Sequence, residues 1–169
     1  MAKQLTKRIR VLEEKSPEEW QSHGLNNDAM RGVECMNDAT RLLYDTDFYE
    51  WAVPLLLNDP PASGEDDPCE DPRRWAAAYL RVILEGAETN NVFEIYAIEP
   101  SDDGAGLKFR LPDGQSIAFE ELSPAEQENY LFWFPALYVA AVYGRETVSH
   151  ILTRGKQNDI VERVRRGEI

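Results

Sequence analysis

The chain has 169 residues, 43% hydrophobic and 29% charged, the proportions of a globular domain rather than of a disordered chain. That length supports a core without metal or disulfide staples, and six Phe, seven Tyr and four Trp are there to fill it. The net charge of −13 is uneven, +3 over residues 1–15, +2 over 154–169 and −18 over 16–153, which argues against direct binding to a nucleic-acid backbone.

In chain order, Met1 to Arg8 has no apolar stretch behind its positive charges, against an ordinary secretory signal. Ser16-Pro17-Glu18-Glu19 is a capping box: a serine cap, proline at the first helical position and glutamate three residues after the cap. It predicts a short helix from Pro17 to His23, ended by Gly24. A second helix starts at Asn27 or Asp28 and carries Met30, Val33, Met36 or Asn37, Thr40 and Leu43 or Tyr44 at helical spacing. Asp45-Thr46-Asp47 breaks and recaps the chain, and the following helix holds Phe48, Trp51, Ala52, Leu55 and Leu56, with Pro54 expected to kink or shorten it.

Residues 58–72 are acidic and rich in Pro and Gly, and read as an exposed, mobile loop with nothing to pack. Asp71-Pro72 opens the next helix, with Trp75, Ala76, Tyr79, Leu80, Val82 and Ile83, expected to end at Gly86. Val92 to Ile98 reads as a strand with Phe93, Ile95 and Ala97 on one face. Leu107 to Leu111 and Gln115 to Phe119 read as two more, joined by the tight turn Pro112-Asp113-Gly114. Ser123-Pro124-Ala125-Glu126 is a second capping box and opens the most apolar helix, which contains Pro135 and stops at Gly144. Its apolar run from Tyr130 to Tyr143 is too short for a membrane span. A shorter helix near Glu146 to Thr153 leads into a basic tail. The expected fold is therefore α+β: a mostly helical single domain over residues 1–169, with about six helices and a small three-stranded antiparallel β-meander near residues 91–119. The basic ends, 1–15 and 154–169, flank it.

No metal or cofactor is expected. His23, Cys35, Cys69 and His150 fall in no zinc spacing, and Asp45-Thr46-Asp47 lacks the glycine and closing glutamate of a calcium loop. Cys35 and Cys69 read as isolated thiols, the first an inert thiol in a helical pattern. The second is held unreactive by Asp67, Glu70 and Asp71, whose charges raise a thiol's pKa. Isolated thiols suggest a reducing compartment, and the chain is expected in the cytoplasm. Gly104-Ala105-Gly106 does not continue into a dinucleotide fingerprint. Leu122-Ser123-Pro124-Ala125-Glu126-Gln127 resembles the Leu-Ser-x-Gly-Glu-Gln signature of ABC-type ATPases, but Ala125 replaces its glycine and no nucleotide-binding lysine motif accompanies it. Adjacent carboxylates such as Glu120-Glu121 are what a chain with 31 acidic residues shows on a solvated surface.

These features point to a non-enzymatic acidic binding module that inhibits or neutralises a basic protein, itself a nuclease, toxin or other nucleic-acid-binding protein. An immunity protein, or an anti-defence inhibitor acting as a nucleic-acid mimic, fits the description. The expected partner-binding residues are Glu65, Asp66, Asp67, Glu70, Asp71, Asp102 and Asp103, with exposed Trp or Tyr as anchors. The alternative is an assembly or adaptor protein, a possible homodimer, acting through its aromatic helix; the third reading is an enzyme without a recognisable motif.

Overall fold

The computed structural model describes residues 27–62, 66–102 and 106–169. The expected Pro17 to His23 helix, His23, the basic segment 1–15, Glu65 and Asp103 lie outside the described residues. Six helices and one three-stranded antiparallel sheet are present among those described, as the sequence predicts.

The first helix, α1, spans Asn27–Arg41 and runs into a 3-10 turn, Leu42–Tyr44. Asp45 then caps α2 (Thr46–Asn58), its side chain accepting from the Asp47 N–H. This is the work of the Asp-x-Asp pair that superficially suggested a cation loop. The helix runs through Pro54 to Asn58, whose amide donates to the Pro54 carbonyl at 2.8 Å. Helix α3 (Pro72–Thr89) begins on the Asp71 cap, as expected, but continues past Gly86. Gly86 lies inside the helix, with the Trp133 ring 3.5 Å from where a β-carbon would stand, an ordinary van der Waals contact.

The expected first strand is corrected. Asn91 adopts a left-handed conformation, with φ at 55°, and Val92–Ile95 form one helical turn, α4, closed by the Tyr96 N–H to the Val92 carbonyl. Pairing starts only at β1 (Ala97–Pro100). The cause is tertiary: Arg145, from the last helix, reaches Glu94 at 3.5 Å and Glu88 at 3.3 Å and stacks over the Phe93 ring. Strands β2 (Leu107–Arg110) and β3 (Ser116–Ala118) complete a meander in the order β1-β2-β3. Ile98, Phe109 and Ile117 stand opposite one another across it. In the Pro112-Asp113-Gly114 turn, Asp113 accepts from the Gln115 N–H and Gly114 supplies the positive φ.

Helix α5 (Pro124–Tyr143) opens on the predicted capping box, with the Glu126 N–H donating to Ser123 Oγ and the Ser123 N–H to the Glu126 carboxylate. It covers the sheet through Tyr130, which packs edge-on to Phe109 and Tyr96 and donates its hydroxyl to the Arg110 carbonyl. One residue, Gly144, separates it from α6 (Arg145–Arg165). The last helix is thus much longer than the expected Glu146 to Thr153. It continues because Gly155 lets it lie against Arg81 of α3, whose guanidinium then meets Asp159 at 2.6 Å. Helix α3 is the hub, packing against α1, α2, α5 and α6. The core gathers around it, with Tyr49, Leu56, Leu80, Leu84, Phe109 and Leu137 among its buried side chains.

Candidate functional site: an acidic face beside half-exposed tyrosines

Two of the sequence expectations for the 58–72 segment fail. Pro60, Pro61 and Ala62 are buried, although nothing there was expected to pack. Asn158 donates to the Pro60 carbonyl at 3.0 Å and Arg154 to that of Asn58 at 3.4 Å, so α6 lies along this stretch. The thiols are not isolated either. Cys35 of α1 and Cys69 form a disulfide, with α-carbons 5.0 Å apart, and no described cysteine is free. The argument for a reducing compartment therefore loses its basis.

The carboxylates of this segment have local structural duties. Asp66 pairs with Arg74 at 3.5 Å, and Asp67 accepts from the Cys69 N–H at 2.8 Å. Asp71 caps α3, while Glu70 is exposed. Asp102 sits far along the chain in the β1–β2 turn, its side chain 92% exposed and paired with Lys108 at 2.6 Å. Glu65 and Asp103, the remaining expected partner-binding residues, lie outside the described residues.

Another acidic surface lies on α2. Asp47 and Glu50, three residues apart on α2, share one helix face and are exposed. That face abuts the C-terminal end of α5. Glu50 acts electrostatically on both Tyr138 and Tyr143, and Asp47 on Tyr138. Both tyrosines are half-buried, and Val142 between them is 58% exposed. Tyr138 is held against buried Tyr49, with ring centroids 4.7 Å apart. Neither Asp47 nor Glu50 pairs with a basic side chain among the described residues. No Lys or Arg occurs anywhere between Arg41 and Arg73, or between Arg110 and Arg145. That gap, read together with the Asp47/Glu50 spacing, is the signal that would have located this face from sequence.

The tyrosines carry the perturbed ionisations. Burial, with a smaller push from Tyr79, raises Tyr44 to about 12, and Tyr49 is driven well above the ordinary value by its burial. Burial also raises Tyr138, helped by Tyr143, Glu50 and Asp47, and raises Tyr143, helped by Glu50. At neutral pH these hydroxyls are therefore neutral and can donate hydrogen bonds. Among the described residues no three His, Cys, Asp or Glu side chains stand where they could hold a metal ion. His150 is exposed on α6.

A second surface differs in character. Beyond Gly155, α6 turns Asn158, Asp159 and Glu162 toward the body, while Ile160, Val161 and Val164 are exposed. An open cavity of about 280 Å³ lies beside it, lined by Ala62, Asp159, Glu162, Arg163, Arg166 and Glu168. Its charges largely answer one another, Arg163 and Arg166 both reaching Glu168. No helix among the described residues is long and apolar enough to cross a membrane. No family model, curated protein or solved structure matches the chain.

Proposed function

We propose that the protein is a non-enzymatic binding module that engages a basic protein through the α2–α5 face. The observation that carries this reading is the pairing of two carboxylates, Asp47 and Glu50, that have no basic partner among the described residues, with the half-exposed rings of Tyr138 and Tyr143 around exposed Val142. Carboxylates would meet Lys and Arg of the partner, steering the encounter and fixing its register. The tyrosines would supply rigid contact area at low entropic cost, and the rest of the acidic body, −18 over residues 16–153, would raise the on-rate. Inhibition of a nuclease, a toxin or another nucleic-acid-binding protein is the role such a face serves best, because it offers carboxylates where the partner expects phosphates. A disulfide persists best where thiols stay oxidised, so the partner is to be sought outside the reducing cytosol as well as within it.

The test compares two variants of equal charge change against an immobilised arginine-rich peptide at low salt. Asp47→Lys/Glu50→Lys should weaken retention about tenfold or more, whereas Glu120→Lys/Glu121→Lys, at the far end of β3, should weaken it only severalfold. Equal losses would mean that bulk charge, and not this face, does the binding.

One observation favours a second reading, self-assembly. Ile160, Val161, Val164 and Ile169 are all exposed near the end of α6. Apolar side chains so grouped suit a contact between copies of the chain. Light scattering across a hundredfold concentration range separates the two, since a monomer throughout removes the assembly reading and leaves the first untouched.

A further inference from the structure

We propose that the Cys35–Cys69 disulfide is a reducible tether that holds α1 on the body, opened by thiol attack at Cys69 and biased by its acidic surroundings toward cationic thiols. The bond is placed for such chemistry: Cys69 is exposed on the surface and Cys35 half-buried on α1. The attacked sulfur is thus the one an incoming thiolate can reach. It attacks Cys69 Sγ, a mixed disulfide forms there, and the bond to Cys35 breaks, Cys35 leaving as a thiolate that takes a proton from water. A second thiol attacks the mixed disulfide, frees Cys69 and departs as a small-molecule disulfide. Two external thiols are oxidised for each protein disulfide reduced.

What the bond restrains is also visible. Over residues 29–41 of α1 the only buried side chain is Ala39, and Met36 is 47% exposed. Helix α1 packs against α3, but with little apolar surface to hold it there. The other partner in the bond is firmly seated, since Asp67 holds the Cys69 N–H, Asp66 pairs with Arg74, and Asp71 caps α3. Opening the disulfide therefore releases α1 and leaves the 66–72 segment in place.

The surroundings bias the reaction by charge. Asp67 and Glu70 flank Cys69, and Glu34 precedes Cys35. Of the bases nearby, Arg74 is engaged by Asp66, Arg41 by Asp38, and Arg73 lies over the Trp51 ring; Arg31, whose carbonyl faces Cys69 Sγ at 3.9 Å, brings one positive charge against those of Asp67, Glu70 and Glu34. An anionic thiolate reagent approaches against this field and that of the acidic body, whereas a reagent carrying an ammonium group approaches with it.

Hydrogen exchange with and without dithiothreitol tests the tether, alkylation mass confirming that both thiols are free. Exchange across residues 29–41 should accelerate at least tenfold while α5 keeps its protection. Unchanged protection of α1, or loss of protection in α5 as well, would overturn the proposal. The Cys35→Ser/Cys69→Ser variant should match the reduced protein, and reduced, alkylated wild type serves in its place if the variant does not fold. Reduction by cysteamine and by 2-mercaptoethanesulfonate tests the bias, each rate taken per thiolate and normalised to a small neutral disulfide. Cysteamine should be about tenfold faster at low salt, converging with the sulfonate at molar salt as the field is screened. Equal rates at low salt would overturn the charge bias.

Discussion

Helices α1 and α5 are both secured to the same body, by opposite means. Helix α5 buries seven side chains, among them Tyr130, Phe134 and Leu137, and stacks Phe134 on Tyr44 from the other side of the core. Helix α1 buries Ala39 and depends on one covalent bond. Packing distributes attachment over many contacts, so α5 can leave only when the domain unfolds. A bond concentrates attachment at a single point, so α1 can leave alone. The contrast teaches that helical length is a poor guide to anchorage here.

The comparison can be broken from the α5 side. Leu137→Ala should cost about 3 kcal/mol of global stability, read as a lower urea midpoint with unchanged slope. Gly155→Ala attacks the same packed body from α6. A β-carbon there would stand 2.5 Å from Arg81 Cδ, and displacing Arg81 disturbs its pair with Asp159. About 2 kcal/mol of destabilisation is expected in the same assay. Ser123→Ala removes one cap of α5 and should cost about 1 kcal/mol. On the α1 side, Met36→Ala should change global stability by less than about 0.5 kcal/mol, because the side chain is exposed and its helix lies outside the core.

Alkaline titration sharpens the same contrast. Tyr44 titrates near 12 in the folded state against about 10 when unfolded. Between those values the unfolded chain has released a proton that the folded chain retains, so stability is complete below pH 10 and falls as pH rises toward 12. Tyrosinate absorbance should therefore rise together with loss of the α5 core, while α1, which has no tyrosine, reports nothing.

Local signals were legible in the sequence and long-range ones were not. The Ser123 box, the Asp71-Pro72 start and the Asp113-Gly114 turn involve residues within a few positions of one another, and each stands where it was expected. The turn at Val92–Ile95 required Arg145, some fifty positions away in the chain, and no alternation of side chains could announce it. The length of α6 was hidden because its inner face beyond Gly155 is polar, so hydrophobic periodicity ended before the helix did. The disulfide joins residues 34 positions apart, and only the packing of α1 on α3 brings them within reach. For the candidate site, the sequence showed the kind of side chain but not which carboxylates carry structural duties. Asp66, Asp67 and Asp71 serve an ion pair, a turn and a cap, whereas Asp47 and Glu50 on α2 have no basic partner among the described residues.

The one-residue corner at Gly144 makes α6 a lever. Its backbone, at φ 94° and ψ 155°, occupies a region that essentially only glycine tolerates. There is no slack chain on either side to absorb a change of direction. An arm of 21 residues reaches about 31 Å from that fulcrum, so each degree of rotation displaces its tip by about 0.5 Å. Where Ile160 and Val164 stand thus depends on two dihedral angles at the opposite end of the helix as well as on the contacts of Gly155, Asn158 and Asp159 with the body.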